Sequence, residues 1–448
     1  MHRGAHNMEI SRHRKKLFAI GALLALAFLF RLAFGLSSDF WNEDEKQIYL
    51  IGLKFYTTGM WPYFGPDVTN TIQIPGALQG LMGGLPFYVL PVPEAPYVLL
   101  NMLSFTSLCF FAWYCARRLP ELPKWFVWAW LLTAPWTLSL STHVFNPSYV
   151  LAGGILFFVG AIETYPFLTA KIVPLRWANL MMGAALLWVM QFHMSWVVLL
   201  PYVLVSFYYQ YKTSGDKIPS SLAWFACGAM LTGIFLLPTY MQYGLTNGAG
   251  STNEVVQFNQ RNLIRHLNVV EGVLGRFLSF ASFELARFIG GNSEARIAFI
   301  RRQIWLAPFI GFLGTVGILQ PLALLVLWFK NKDETQHWRA IKYFTLATIC
   351  LLYVGFVFSF REPYSHTFYV TFPVAMLYSF YCWNGFLKDR RWRIFAAVFI
   401  VCGLVFHAGL AIDNFQRKSL YINRQLPAAA LDSKAYRVLG ERRVGSRY

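Results

Sequence analysis

Charge is scarce in this sequence. Of its 448 residues only 13% are charged, against roughly 25% in soluble proteins. Acidic residues are scarcer than basic ones, 21 Asp and Glu beside 39 Lys and Arg. Stretches such as 17–30 and 394–405 contain no charged residue. So little solvated surface excludes a soluble enzyme and a disordered chain, and the apolar runs exclude a nucleic-acid-binding domain despite the net charge of +18. Paired cysteines are also lacking. Cys109, Cys115, Cys227, Cys350, Cys382 and Cys402 lie in apolar stretches without CxxC spacing, so they read as small packing residues rather than disulfides or metal ligands. There is no tandem repeat, no low-complexity tract and no soluble domain. What remains is a polytopic membrane protein, its basic excess fitting the Lys/Arg bias of cytoplasmic loops.

A helix that crosses about 30 Å of hydrocarbon needs about 20 apolar residues. That rule predicts eleven spans, near 17–37, 95–115, 124–140, 147–164, 176–191, 194–211, 220–240, 304–329, 341–360, 366–386 and 393–412. The expected fold is therefore all-α, with one transmembrane module over 1–412 and a short tail over 413–448. The basic N-terminal segment precedes an apolar run longer than a signal peptide's, which reads as a retained first span. Residues 75–91 are apolar but short and contain four glycines and three prolines, so they are expected to lie in or dip into the interface.

Loop charges set the sidedness. With the N-terminus inside, the cytoplasmic loops collect Arg117, Arg118, Lys171, Arg176, Lys212, Lys217, Lys330 and Arg339, while 141–147 and 191–194 hold no Lys or Arg. On the positive-inside rule this is a multi-pass protein of a plasma (inner) membrane. The first loop (38–94), the long loop (241–303) and the tail then face outward. In the long loop, Leu263, Leu267, Val270, Leu274 and Phe277 alternate with charged positions, which predicts one or two amphipathic helices on the membrane.

The polar residues that sit oddly within apolar sequence all fall at outer ends of spans. They are His143, Asn146, Gln191, His193, Arg361, Glu362, Tyr364 and His366, while Arg31 lies inside the first span near its outer end. At the same face, Asp39, Glu43, Asp44 and Glu45 place four carboxylates within seven residues. Such crowding raises some carboxyl pKa values unless a cation or substrate is present. A carboxylate beside an outer-leaflet substrate can take the proton of an attacking hydroxyl. Taken alone, the cluster reads first as a solvated acidic turn.

The order Arg31, Asp44-Glu45, Tyr49, Gly59…Pro62…Gly65-Pro66, and then a helix before Arg117-Arg118, resembles the start of the polyprenyl-phosphate-dependent GT-C glycosyltransferases. It is most similar to the bacterial branch related to protein O-mannosyltransferases and aminoarabinose transferases. His143-Val-Phe-Asn146-Pro147 resembles that family's Asn-Pro signature, with Phe145 where Trp is common, and Gln191-Phe-His193-Met-Ser195 resembles its Gln-x-His-x-Ser segment. The likeness runs in order over about 17–205.

The resemblance implies an inverting transferase that moves a sugar from a polyprenyl-phosphate donor to a hydroxyl of a lipid, glycan or protein acceptor. Asp44 is implied as general base, with Glu45 beside it. Arg31, Tyr49, His143, Asn146, Gln191, His193, Arg361, Tyr364 and His366 are implied as substrate-binding. Single displacement needs one base and a cation for the departing phosphate, and Arg361 and Arg31 are the candidates for that cation. No cofactor is expected, and no His/Cys spacing suits a metal, although paired carboxylates could recruit a divalent cation. Membrane lipids are the remaining partners, and no nucleic acid is expected.

Two other classes stay open. An O-antigen polymerase or ligase would use Arg261, Arg265 and His266 of the long loop, and a lipid-linked sugar transporter would use no chemistry. Sidedness is testable first. In a background freed of native cysteines, a cysteine placed at 242–300 should react with an impermeant thiol reagent added outside, and one at 331–337 should not. The opposite labelling would invert the topology and move the acidic cluster to the cytoplasm.

Overall fold

A computed structural model of the chain describes residues 2–38, 43–69, 72–165, 171–247, 257–268, 272–283, 293–330, 336–359, 365–417 and 419–434. Each of the eleven apolar stretches is helical over most of its described residues. Seven helical segments among the described residues are long and apolar enough to cross a membrane: Arg14–Ser37, Ala95–Arg118, Asn146–Thr164, Met194–Gly244, Ile304–Lys330, Trp338–Val357 and Arg390–Gln416. The chain is an all-α, multi-pass membrane protein. Met194–Gly244 holds two of the expected spans. At 1.5 Å per residue it would measure about 76 Å if straight, and it turns at Gly215–Lys217.

The first helix, α1 (His2–Ser37), is followed by α2 (Glu43–Thr58) and a short antiparallel pair, β1 (Phe64–Thr69) and β2 (Ile72–Pro75). This hairpin was not foreseen from the sequence. The Pro62, Gly65-Pro66 and Pro75-Gly76 punctuation makes it, because those residues disfavour a continuous helix. Next, α3 (Leu78–Val89) has 12 residues, about 18 Å, which is too short to span. It packs against α2, as an interfacial element should.

The expected span at 124–140 is divided. α4 (Ala95–Arg118) leads to α5 (Lys124–Thr133) and then, after Ala134, to α6 (Pro135–Ser141). Pro135 has no N–H to donate and its ring clashes with the preceding turn, so the helix stops there. The carbonyls exposed by the break are met by Arg31. Its Nη1 donates to Leu132 O at 2.9 Å and to Thr137 Oγ1 at 3.1 Å, and its Nη2 donates to Thr137 O at 2.8 Å. Arg31 is fully buried.

The core is organised around α7 (Asn146–Thr164), nearly all of whose residues are buried. It contacts α4, α8 (Leu175–Met190), α9 (Leu200–Ser214) and the 3-10 turn Ser365–Thr371. A side chain at Gly154 would collide with Val370 O at 2.7 Å, so the close approach of that turn requires glycine. α8 pairs most extensively with α10 (Ile218–Gly233). There Gly183 and Gly228 let the two backbones meet, the geometry that small residues permit between membrane helices. α11 (Leu237–Asn247) follows, interrupted at Gly244.

The long loop forms α12 (Gln260–Arg265), α13 (Val273–Ala281) and α14 (Ser293–Arg302). The sequence predicts one or two helices on the membrane surface; α12 and α13 fall within those positions, α14 is additional, and α13 is buried rather than laid on a surface. It packs against α15 (Ala307–Lys330), α16 (Gln336–Val357) and α17 (Phe372–Phe386), and Trp136 Nε1 donates to Ser279 O at 3.0 Å. α18 (Arg390–Gln416) then ends near Asp413, which receives both Nε and Nη2 of Arg302 at 2.8 and 2.9 Å. The last helix, α19 (Ser419–Asp432), folds back onto α18 and α2.

At the opposite end, Arg118 pairs with the buried Glu163, and Lys171 Nζ donates to the Glu163 and Tyr165 carbonyls. The chemistry at that end is spent on closing loops.

The Arg31 contact makes a prediction about stability. An orphaned buried carbonyl costs about 1–3 kcal/mol, and Arg31→Met would take the Arg31 donor from Leu132 O, while Thr137 O would keep the Ser141 hydroxyl at 2.8 Å. The variant's thermal unfolding midpoint in detergent should fall by several degrees, and Arg31→Lys should recover part of the loss, since an ammonium lacks the planar fork. A midpoint equal to wild type for Arg31→Met would show that the break is capped by something else.

Candidate functional site

The end of the molecule where α1 leaves the membrane gathers most of the residues singled out from the sequence. Glu45, the third residue of α2, is 2% exposed and accepts a hydrogen bond from the hydroxyl of Tyr97 on α4. Asp44 lies one position earlier in α2, but its side chain is outside what the structure describes. Arg361, Glu362 and Tyr364 likewise lie outside the described residues. Tyr149 of α7 is an electrostatic neighbour of Glu45, and its buried hydroxyl has no hydrogen-bond partner among the described residues.

Several expected substrate ligands make hydrogen bonds that join elements of the scaffold. His143 lies between two main-chain carbonyls, Ser139 O and Ser38 O, each 2.9 Å from a ring nitrogen. It thereby ties the exit of α1 to the link before α7. Asn146 opens α7 and accepts from Gln79 Nε2 at 2.8 Å, joining α7 to α3. The Tyr49 hydroxyl donates to Pro93 O and fixes α2 against the entry to α4. Gln191 donates to Leu187 O at 3.0 Å and Thr232 O at 2.8 Å, and its side chain abuts Gly76. Gly76 has φ +112°, so the close contact and the left-handed backbone both require glycine there. Arg31 belongs with this group.

A second corner is cationic. His193 follows α8, and its ring centroid lies 6.2 Å from that of His366 in an edge-on arrangement. Its Nδ1 accepts the Ser195 N–H at 3.1 Å, which leaves the ring proton on Nε2 as a donor. Burial, with the His366 imidazole beside it, pushes His193 down to about 3, so the ring is neutral near pH 7. Arg276 of α13 is buried, donates to Ser365 Oγ, and lies 6.0 Å from the Phe368 ring centroid. It is also an electrostatic neighbour of His366.

The two corners are bridged by aromatic rings. Tyr149 stacks on Phe192 at 4.9 Å with 13° between the planes, and Phe192 adjoins His193 in sequence. One end of the bundle therefore holds a buried carboxylate, an unpaired tyrosine hydroxyl, a neutral imidazole donor and a buried guanidinium, supplied by α2, α7, the α8–α9 link and α13. This arrangement can accept a proton at one corner and hold an anion at the other.

Sequence reasoning missed Tyr97, Tyr149, Arg276 and Arg424. A signal existed for Arg276, which is the sole charge in the apolar helix VLGRFLSFA. Arg424 carries no such signal, because its place depends on the tail folding back. Of the alternative long-loop residues, His266 is buried with Nε2 3.1 Å from Phe356 O, and it rests beside Tyr353. That is a packing position. Among the described residues no group of three or more His, Cys, Asp or Glu could hold a metal ion.

No protein-family model matches the chain, and no curated protein sequence does either. Among solved structures the chain is similar to the crystal structure of ArnT from Cupriavidus metallidurans bound to undecaprenyl phosphate. The identity is 12% and the TM-score 0.50, over 95% of this chain and 77% of that one. At that identity the likeness is one of fold: the chain shares the helical membrane architecture of that structure.

Proposed function

We propose that this protein is a membrane glycosyltransferase that moves a sugar from a polyprenyl-phosphate donor to a hydroxyl of a lipid, glycan or protein acceptor on the extracytoplasmic face. The observation that carries the reading is the placement of a buried first-loop carboxylate in one corner, and a buried guanidinium with two imidazoles in the next, at one end of a fold shared with ArnT, a protein solved with a polyprenyl phosphate bound.

In the proposed reaction the acceptor hydroxyl attacks the anomeric carbon in a single displacement, inverting it, while its proton passes to a carboxylate. The bond to the phosphate oxygen breaks and the electron pair leaves with the polyprenyl phosphate. Asp44 is the base we favour. The hydrogen bond from Tyr97 supports an anchoring part for Glu45, which fixes the start of α2. Negative charge grows on the departing phosphate, and a fixed cation in a water-poor site lowers that barrier more than it would in water. Arg276 is our first candidate for it, with His193 Nε2–H and His366 beside it, and Arg361 stands next. Arg31 ranks after these because its Nη1 and Nη2 donors serve the α5–α6 break.

Two variants separate the corners. Asp44→Asn should retain binding of undecaprenyl phosphate and lower sugar transfer by about 10²–10⁴-fold, the usual loss for a positioned base. Arg276→Gln should weaken undecaprenyl phosphate binding by about tenfold or more. Wild-type binding by Arg276→Gln would pass the phosphate role to Arg361. Full transfer by both Asp44→Asn and Glu45→Gln would sink the first-loop carboxylate as base, and no transfer by the wild-type protein would sink the transferase reading.

A further inference from the structure

From the sequence, the segment after α18 reads as a short tail without chemistry. In the structure α19 returns to the carboxylate corner and delivers Arg424 there. Arg424 Nη1 lies 3.3 Å from Glu94 Oε1, Nη2 donates to Leu36 O at the exit of α1, and the guanidinium sits 5.3 Å from the Tyr97 ring centroid. The hydroxyl of that same ring donates to Glu45. One side chain therefore touches the end of α1, the entry to α4 and the tyrosine that holds the first-loop carboxylate.

We propose that Arg424 is a positioning residue: by clamping Tyr97 between α19 and α4 it fixes Glu45, and with it the start of α2 that carries Asp44, in the site. The inference rests on the transferase reading above and extends it to the tail.

The physical argument has two parts. A cation over a tyrosine ring face is attracted by the ring's quadrupole, so Arg424 restricts the ring and aims its hydroxyl. The positive charge also favours the ionised form of nearby carboxylates. The groups that face this corner are Tyr97 and Glu94 from α4 and its entry, Tyr149 from α7, His143 from the preceding link, and Arg424 from α19. Asp44 and Lys46 flank Glu45 on α2. Arg424 brings a permanent positive charge to this corner, bonded to Glu94 and set over the ring that holds Glu45, so its removal should make the carboxylates harder to ionise.

The test is a pH–rate profile for sugar transfer from a polyprenyl-phosphate donor, over about pH 5 to 9, for the full-length protein and four variants. Arg424→Gln should move the acid limb to higher pH by roughly half a unit to one unit. It should also lower kcat by about tenfold while KM for the donor changes little. Arg424→Lys keeps the charge and should restore most of the profile. Tyr97→Phe removes the hydroxyl but keeps the ring, and adding Arg424→Gln to it should cost little more, because the two act through one contact. If Arg424→Gln folds poorly, the Tyr97→Phe and Arg424→Lys profiles still decide. A wild-type acid limb in Arg424→Gln, or effects that simply add in the double variant, would overturn the positioning role. No transfer by the wild-type protein would instead overturn the transferase reading beneath it.

Discussion

Inside hydrocarbon every backbone polar group must find its partner within the protein, and in this molecule the strictest case is the helix broken at Pro135. Its exposed carbonyls cannot turn to water. Arg31 reaches across from α1 and binds both sides of the break, which locks α1 against α5 and α6. The lock sets where α1 ends. At that end Ser38 O meets His143, Gly35 lies against Thr142, and Asn101 donates to the Thr142 carbonyl at 3.2 Å. The first loop therefore leaves the membrane from a fixed point and enters α2 with Glu45 directed at Tyr97. The candidate site depends on a buried guanidinium whose Nη1 and Nη2 are both taken up by the break.

Much of the architecture was legible in the sequence because hydropathy reports burial in lipid directly. The apolar stretches are helical, and 75–91 is the short element that its length and glycines imply. The placement of odd polar residues at one end was legible too, since span ends can be counted. The parts played by those residues were not. Arg31 reads from sequence as an expensive intramembrane cation and so as a substrate ligand. The helix break it serves lies about a hundred residues away in the chain and becomes its neighbour only after folding. His143, Asn146 and Gln191 join elements for the same reason: polar side chains at span ends are as well suited to hold loops as to hold ligands. Tyr97 and Tyr149 were missed because a tyrosine in an aromatic-rich membrane chain carries no distinguishing pattern. Arg424 was missed because nothing in the tail's composition says where it will dock.

The two corners divide the proposed chemistry between elements of different origin. The carboxylate corner is built from α2, α4, α7 and the tail helix. The cationic corner comes from the α8–α9 link, the turn before α17 and the buried helix α13. Tyr149 and Phe192 span the gap between them with a rigid stack. A donor whose lipid tail stays in the membrane could then present its phosphate to one corner and its sugar to the other without leaving the bilayer boundary.

That account has one central claim, that the ligand of this end of the bundle is a polyprenyl phosphate. The most direct measurement is mass spectrometry of the lipids that stay with the purified wild-type protein, before and after incubation with undecaprenyl phosphate in mixed phospholipid vesicles. The account predicts a retained polyprenyl phosphate or its sugar-bearing form in the untreated sample. After incubation it predicts that undecaprenyl phosphate is enriched far above its share in the vesicles. Retention of bulk phospholipid alone, with undecaprenyl phosphate bound only in proportion to its abundance, would contradict it.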